Sequence, residues 1–190
     1  MSGIGHNGGP TMEPGFGFRK LAWTKARASL LPTLPLEVVR IRVARAKRLG
    51  LPYRTYATIR ATSGRDIVAF LFSGNALEVT PQRIVVPGTV GARLDDLSGQ
   101  AERIGAIYAP VAPDLVRLAN PERLDAAARA PAFTETWSAT RAQLRAVIRA
   151  ENLPLDGVVL VSATAVERDW CGAAGLAGQI EADAFFGRTA

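Results

Sequence analysis

The sequence has few of the residues that catalysis and metal binding most often need. Its 190 residues include one histidine, His6, and one cysteine, Cys171. A structural zinc site takes about four ligands at close spacing, and a Ser-His-Asp or Cys-His arrangement would have to recruit His6 from a glycine-rich terminus. We therefore expect no metal centre and no cofactor. The sequence identifies no reaction, although carboxylate, lysine or arginine chemistry stays open.

Long apolar runs are also missing. The clearest apolar stretches, residues 67–72 and 158–161, are far shorter than the ~20 residues that cross a bilayer as a helix. No apolar segment follows a basic start, as it would in a signal peptide. A single cysteine excludes an internal disulfide framework and suits a reducing compartment. The sequence thus predicts a cytoplasmic protein without membrane association.

The chain contains enough apolar residues to form a hydrophobic core, since 48% of its residues are hydrophobic. Residues 67–72 and 157–162 are apolar on both faces, as in strands buried in the centre of a sheet. Helical patterns surround them. We expect a helix-rich, mixed α/β fold with a small sheet of about three to four short strands. Residues 18–190 form one domain in this interpretation, with a basic helical part at 18–64 and a mixed α/β part at 65–190.

Residues 1–17 form a separate segment with six glycines and two prolines. They lack apolar periodicity, so we predict a disordered tail. Within it, residues 3–10 (GIGHNGGP) resemble a short N-terminal signature of assorted alphaproteobacterial and phage-related small proteins, the nucleoid-associated type among them. The resemblance covers eight residues; it implies a bacterial source and no functional site. The tail is either a flexible end or a peptide that docks on its own domain or, in an adaptor, into a protein partner.

Charge is distributed unevenly along the chain. Residues 1–64 contain 11 Lys or Arg and two acidic residues, whereas residues 65–190 contain 12 Arg and 15 acidic residues. Such asymmetry is typical of a basic face directed at nucleic acid or another polyanion. The alternative is an ordinary solvated surface of an arginine-rich protein. Both interpretations remain open at this point.

The basic residues concentrate in two predicted helices on either side of Gly50. The spacing resembles a helix-turn-helix unit in part, although Arg45 replaces the usual apolar residue and Tyr56 a β-branched one. An ordinary helical corner is the alternative. Arginine and lysine would bind phosphates, and the tyrosines would stack on bases or pack internally. The candidate residues for binding DNA or RNA are Arg40, Arg42, Arg45, Lys47, Arg48, Tyr53, Arg54, Tyr56 and Arg60.

A second candidate site follows the two apolar strands, which end in Ser73-Gly74-Asn75 and Ser162-Ala163-Thr164. If the strands are parallel neighbours, these ends share the sheet edge at which open α/β folds bind ligands. Backbone amides at the start of the following helix could hold an anion. No glycine-rich phosphate motif accompanies the strands. Ser73, Asn75, Ser162 and Thr164 are thus either ligand contacts of a small enzyme or binding domain, or turn and cap residues.

The remaining patterns predict mainly helices. We expect a loop entering a helix over residues 94–109, short helices at 113–118 and 121–129, and a long helix at 133–151 that Asn152 and Pro154 stop. A capping box, Thr164 followed by Glu167, opens a helix at 165–174. A last short helix is expected at 178–186. The overall hypothesis is a nucleic-acid-binding regulator or nucleoid- or phage-associated factor, with a ligand-binding α/β domain and a tail-docking adaptor as alternatives.

Overall fold

The structure, a computed structural model, describes residues 34–188. The chain divides into two compact units, residues 1–39 and 40–190. Of the first unit only residues 34–39 are described, and a helix begins there at Leu36. The predictions for the GIGHNGGP tail and for the boundary at residue 18 lie outside the described residues.

Helices and strands alternate along most of the described chain. The helices are α1 (Leu36–Arg48), α2 (Tyr53–Ser63), α3 (Gly88–Asp95), α4 (Pro113–Ala119), α5 (Trp137–Ala150), α6 (Ala165–Ala174) and α7 (Ala182–Phe186). The strands are β1 (Ala69–Ser73), β2 (Glu102–Ile107), β3 (Ala126–Arg129), β4 (Val158–Ser162) and β5 (Gly178–Glu181). No helix within residues 34–188 is long and apolar enough to span a bilayer.

All five strands belong to one parallel sheet with the order β3-β2-β1-β4-β5. Strand β1 is central, and its Leu71 lies opposite Ile104 of β2 and Leu160 of β4. The predicted α/β class is confirmed. The sheet has five strands instead of the expected three to four.

Helices cover both faces of the sheet. Phe70 and Phe72 of β1 point into a core shared with α1, α2, α3, α4 and α7, whereas Ala69 and Leu71 point into a second core shared with α5 and α6. One face is therefore covered by the helices that follow β1 and β2 together with the two N-terminal helices and α7, and the other face by those that follow β3 and β4. This is a doubly wound arrangement, in which the winding reverses between β1 and β4.

Two strands occupy segments for which the sequence predicts helix. Residues 102–107 form β2 and the alanine-rich residues 126–129 form β3. Alanine favours helices in isolation, but β2 gains a hydrogen-bonded partner on each side, and its apolar residues are buried. The last segment, 178–186, divides into β5, which pairs with β4 at the edge of the sheet, and α7. Sheet pairing, which acts between distant parts of the chain, overrides local propensity here.

The corner between α1 and α2 is a compact helical turn. Gly50 has a φ of +59° and the amide of Leu51 donates to the carbonyl of Ala46 at 2.9 Å, which caps α1. The guanidinium of Arg93 on α3 covers the corner and donates to the carbonyls of Leu49 (2.6 Å) and Gly50 (2.9 Å). Any side chain at Gly50 would overlap this guanidinium. The corner is thus bound to the body of the protein.

Candidate binding site at the carboxyl ends of the strands

The two predicted strand ends lie side by side. Phe72 of β1 is in register with Val161 of β4, and the strands run parallel. Ser73-Gly74-Asn75 and Ser162-Ala163-Thr164 consequently leave the sheet at the same edge, at the point where the winding reverses. In open α/β sheets this switch point forms the crevice that binds ligands.

A buried carboxylate joins the two strand ends. The side chain of Glu167 on α6 has no exposure to solvent. Its Oε1 accepts hydrogen bonds from Nδ2 of Asn75 (2.8 Å) and the hydroxyl of Tyr108 (3.0 Å). Its Oε2 accepts from the backbone amides of Ala163 (2.8 Å) and Thr164 (3.0 Å). A buried charge needs such hydrogen bonds to be tolerated, and these four connect β1, β2 and β4 through one side chain.

The local sequence explains why this carboxylate lies there. Thr164 precedes the first turn of α6, and its Oγ1 accepts from the amide of Glu167 at 3.3 Å, which completes the capping box. The helix N-terminus also stabilises negative charge through the helix dipole. The sequence pattern therefore reveals the cap. It does not reveal that Asn75 and Tyr108, which are distant in sequence, donate to the same carboxylate.

The four strand-end candidates divide into two kinds. The side chains of Ser73 and Ser162 are buried; their hydroxyls accept from the amide of Ala76 (3.1 Å) and from Nε2 of Gln179 (3.0 Å). Asn75 is exposed and Thr164 is half-buried. A ligand at this edge of the sheet would thus meet Asn75 and Thr164, whereas the hydroxyls of the two serines are engaged within the protein.

Tyr108 is the site residue that the sequence did not single out, because its segment was predicted to be a helix. It follows β2 and donates its hydroxyl to Glu167. Burial, together with the charge and hydrogen bond of Glu167, raises the pKa of Tyr108, so it is neutral at physiological pH. Its ring stacks on that of Phe133 with centroids 4.7 Å apart.

This edge of the sheet already has an internal carboxylate, that of Glu167. The amides of Ala163 and Thr164, which face the start of α6, both donate to Glu167. A phosphate or carboxylate ligand would compete with this carboxylate for donors and would be repelled by its charge. The arrangement therefore favours an uncharged polar ligand over an anion.

The basic residues of α1 and α2 occupy very different positions. Arg45 is turned towards the protein, where Nε donates to Asp66 (3.0 Å) and Nη2 donates to the carbonyls of Ile67 (2.8 Å) and Gln100 (3.1 Å). Tyr56 is 1% exposed and donates its hydroxyl to Asp66 at 2.8 Å. Both side chains thus fasten α1 and α2 to the segment that enters β1.

Asp66 is the centre of this network. Arg60 on α2 also approaches it, with Nη1 3.4 Å from its Oδ1. Burial alone would raise the pKa of Asp66. This effect is outweighed by hydrogen bonds from Tyr56, Arg45 and the amide of Ile67 and by the charge of Arg45, so the pKa of Asp66 is lowered. Asp66 is therefore ionised at neutral pH and compensates part of the local positive charge.

The other basic candidates lie nearer the surface. Arg40, Lys47, Arg48 and Arg54 are exposed, whereas Arg42 and Tyr53 are half-buried. In the part of the chain that the structure describes, Lys47, Arg48 and Arg54 make no hydrogen bond or ion pair through their side chains. The nine residues proposed from the sequence thus separate into an exposed basic group and an internal group.

No cluster of three or more His, Cys, Asp or Glu side chains suited to a metal ion occurs among residues 34–188. Cys171 is half-buried, and burial raises the pKa of its thiol. A raised pKa disfavours the nucleophilic thiolate.

Comparisons of the chain with protein-family models, with curated proteins and with solved structures found no match.

Proposed function

We propose that this protein is a ligand-binding α/β domain whose site lies at the carboxyl ends of β1 and β4. The observation that supports this proposal is the convergence of Asn75, Thr164 and Tyr108 on the buried carboxylate of Glu167. A carboxylate fixed by four donors holds these groups in place before a ligand arrives. Such preorganisation reduces the ordering cost of binding.

We propose an uncharged polar ligand of the nucleoside class. Doubly wound sheets that share the order 3-2-1-4-5 bind nucleotides at the switch point, and this part of the proposal rests on fold-level analogy. The chain lacks a glycine-rich phosphate loop, and Glu167 supplies a negative charge at the start of α6. These features favour the sugar and base over the phosphate. Asn75 offers an amide, which pairs well with polar base edges.

Isothermal titration of the full chain tests this proposal with adenosine and AMP as probes. We expect adenosine to bind at least about fivefold more tightly than AMP, since the repulsion between two unit charges about 4 Å apart amounts to about 1 kcal/mol even with the full screening of bulk water. Asn75→Ala should weaken adenosine binding. Ser98→Ala, an exposed polar residue before β2 and thus at the opposite edge of the sheet, is the matched control and should leave binding unchanged.

Tighter binding of AMP than of adenosine would contradict the proposed ligand class. Equal loss of binding in Asn75→Ala and Ser98→Ala would contradict the proposed location. Circular dichroism of both variants separates a loss of contact from a loss of fold.

A second candidate function is nucleic-acid binding through the exposed basic group on α1 and α2, in a unit resembling a helix-turn-helix. The observation that favours it is the exposure of Arg40, Lys47, Arg48 and Arg54 within 15 residues of sequence. The group would supply phosphate affinity that is independent of base sequence and weakens with salt. A regulator or a nucleoid- or phage-associated factor would have this property.

Fluorescence anisotropy with labelled DNA and RNA at increasing salt tests the second function. We expect the double variant Lys47→Glu/Arg48→Glu to lose binding at low salt. Arg141→Glu/Arg149→Glu makes the same charge change at exposed positions of α5 and should retain it. Equal losses in both variants would indicate a general charge effect, and absence of binding to the unmodified protein at low salt would exclude this function.

A further inference from the structure

A small aromatic cleft lies between the start of α5 and the exposed side of α6. Its cavity of about 140 Å³ is lined by aromatic and aliphatic side chains and has two carboxylates at its rim. The aromatic and aliphatic residues are Phe133, Trp137, Trp170 and Val166, and the carboxylates are Glu135 and Asp169. The cleft adjoins the Glu167 network through the ring of Tyr108, but Asn75, Thr164 and Glu167 do not line it.

The two outer aromatic rings are exposed but held in place. Phe133 is 60% exposed and Trp137 is 56% exposed. Phe133 stacks almost parallel on Tyr108, with 16° between the rings. The Trp137 indole lies over Gly172 of α6, and a Cβ atom there would be in ordinary van der Waals contact with it at 3.6 Å. Tyr108 is itself anchored by Glu167 at 3.0 Å. Large exposed aromatic rings grouped around one cavity are typical of a surface that binds another molecule.

The charge of the cleft indicates what it binds. Glu135 and Asp169 are exposed, and within residues 34–188 neither forms an ion pair. No basic side chain of the described chain lines the cavity. Aromatic faces attract cations through their quadrupole, and two uncompensated carboxylates add to that attraction.

The volume limits the size of the occupant. Pockets for small-molecule ligands typically measure about 300–1,000 Å³, whereas this cleft measures about 140 Å³. It can hold the head of one side chain. We propose that the cleft binds a single cationic side chain, arginine or lysine, from a basic segment of a partner protein. This inference is independent of the ligand site at the strand ends.

Nuclear magnetic resonance of the full chain tests the inference through the indole Nε1–H signal of Trp137. The probes are N-acetyl-arginine amide and the matching citrulline amide, which has nearly the same shape without the charge. We expect the arginine probe to shift the signal and to bind about five- to thirtyfold more tightly than the citrulline probe. N-acetyl-lysine amide should also bind.

Two double variants test whether the carboxylates of the cleft attract the arginine probe. Glu135→Gln/Asp169→Asn should weaken the arginine probe at least about fivefold. Glu151→Gln/Asp156→Asn makes the same charge change at other positions and should not. Equal affinity for the arginine and citrulline probes, or an unchanged affinity in the Glu135→Gln/Asp169→Asn variant, would overturn the inference. Two cation–π contacts correspond to a dissociation constant on the order of 100 mM at the weakest. If the arginine probe at about this concentration did not shift the Trp137 signal, the inference would be overturned as well.

Discussion

The candidate residues of the basic helices are close in sequence but point in different directions in the fold. Those at the carboxyl edge of the sheet are far apart in sequence but meet in the fold. In α1 and α2, nine candidate residues are close in sequence, yet the fold directs Arg45 and Tyr56 inward and leaves Lys47 and Arg48 outside. At the sheet edge, Asn75, Tyr108 and Glu167 span 92 positions, yet they meet around one carboxylate. A dense cluster in sequence is therefore weaker support for a site than convergence in the fold.

The two regions also differ in what their charges do. Both networks contribute to folding, and the Arg45–Asp66 network does so by connecting helices to the segment that enters β1. The Glu167 network lies at the carboxyl edge of the sheet and also orients groups that remain accessible, Asn75 above all. We make three predictions, ordered by expected size: the first two remove one residue from each network, and the third concerns acid stability.

The largest effect is expected from Glu167→Ala. The substitution leaves the donors of Asn75, Tyr108, Ala163 and Thr164 without their acceptor, and each buried unsatisfied group costs about 1–3 kcal/mol. We expect the free energy of unfolding to fall by about 3–5 kcal/mol, measured by urea denaturation. Asp169→Ala, an exposed position on the same helix, should change it by less than about 0.5 kcal/mol. Similar effects of the two substitutions would contradict the role assigned to Glu167.

Arg45→Ala should have the next largest effect. It removes three hydrogen bonds, one of them to Asp66, in a partly buried network, and bonds to charged groups contribute about 1.5–3 kcal/mol. We expect a loss of about 1.5–3 kcal/mol in urea denaturation. Lys47→Ala, two residues further on and exposed, should cost less than about 0.5 kcal/mol. If both variants behaved alike, the separation of the basic residues into internal and exposed groups would be wrong.

The smallest effect concerns acid stability. Asp66 and Asp125 both have a lowered pKa in the folded protein. Burial alone would raise each pKa, but hydrogen bonds outweigh the effect of burial. The largest of these contributions comes from Tyr56 for Asp66 and from Arg103 for Asp125. The unfolded chain therefore binds more protons in acid than the native state. The stabilisation is fully present above pH ~4, the unfolded value, and is lost as pH falls through the folded pKa values.

Thermal melts between pH 7 and pH 2.5 measure this dependence. We expect Asp125→Asn to flatten the decline below pH ~4, with Asp169→Asn as the control for a change in charge. A decline as steep in Asp125→Asn as in the unmodified protein would contradict the contribution of the Arg103–Asp125 pair, whose side chains are 2.7 Å apart.

Much of the fold could be predicted where short-range patterns decide it. The apolar runs at 67–72 and 157–162 contain most or all of β1 and β4. Gly50 follows the end of α1, and Asn152, with a φ of +57°, follows the end of α5. Strands β2 and β3 could not be predicted in the same way. Their alanine and glycine content disfavours strands locally, and only pairing with β1 and with each other accounts for them.

The location of the candidate site could be predicted from the sequence, but not all of its residues. Parallel strand ends with small polar residues indicated where to look, and the Thr164–Glu167 capping box indicated a carboxylate at the start of α6. The contribution of Tyr108 depends on β2 lying beside β1, which no local pattern encodes. The inward turn of Arg45 likewise depends on Asp66 and Gln100, 21 and 55 positions away.

The most direct test of the central claim is to map where adenosine binds on the isotopically labelled full chain by amide chemical shifts. We expect the perturbed amides to be those of Gly74, Asn75, Ala163 and Thr164, at the carboxyl ends of β1 and β4. Amides of α1 and α2 should not move. Perturbation confined to α1 and α2, or no perturbation at millimolar adenosine, on the order of the weakest affinity expected of a specific small-ligand site, would contradict the claim.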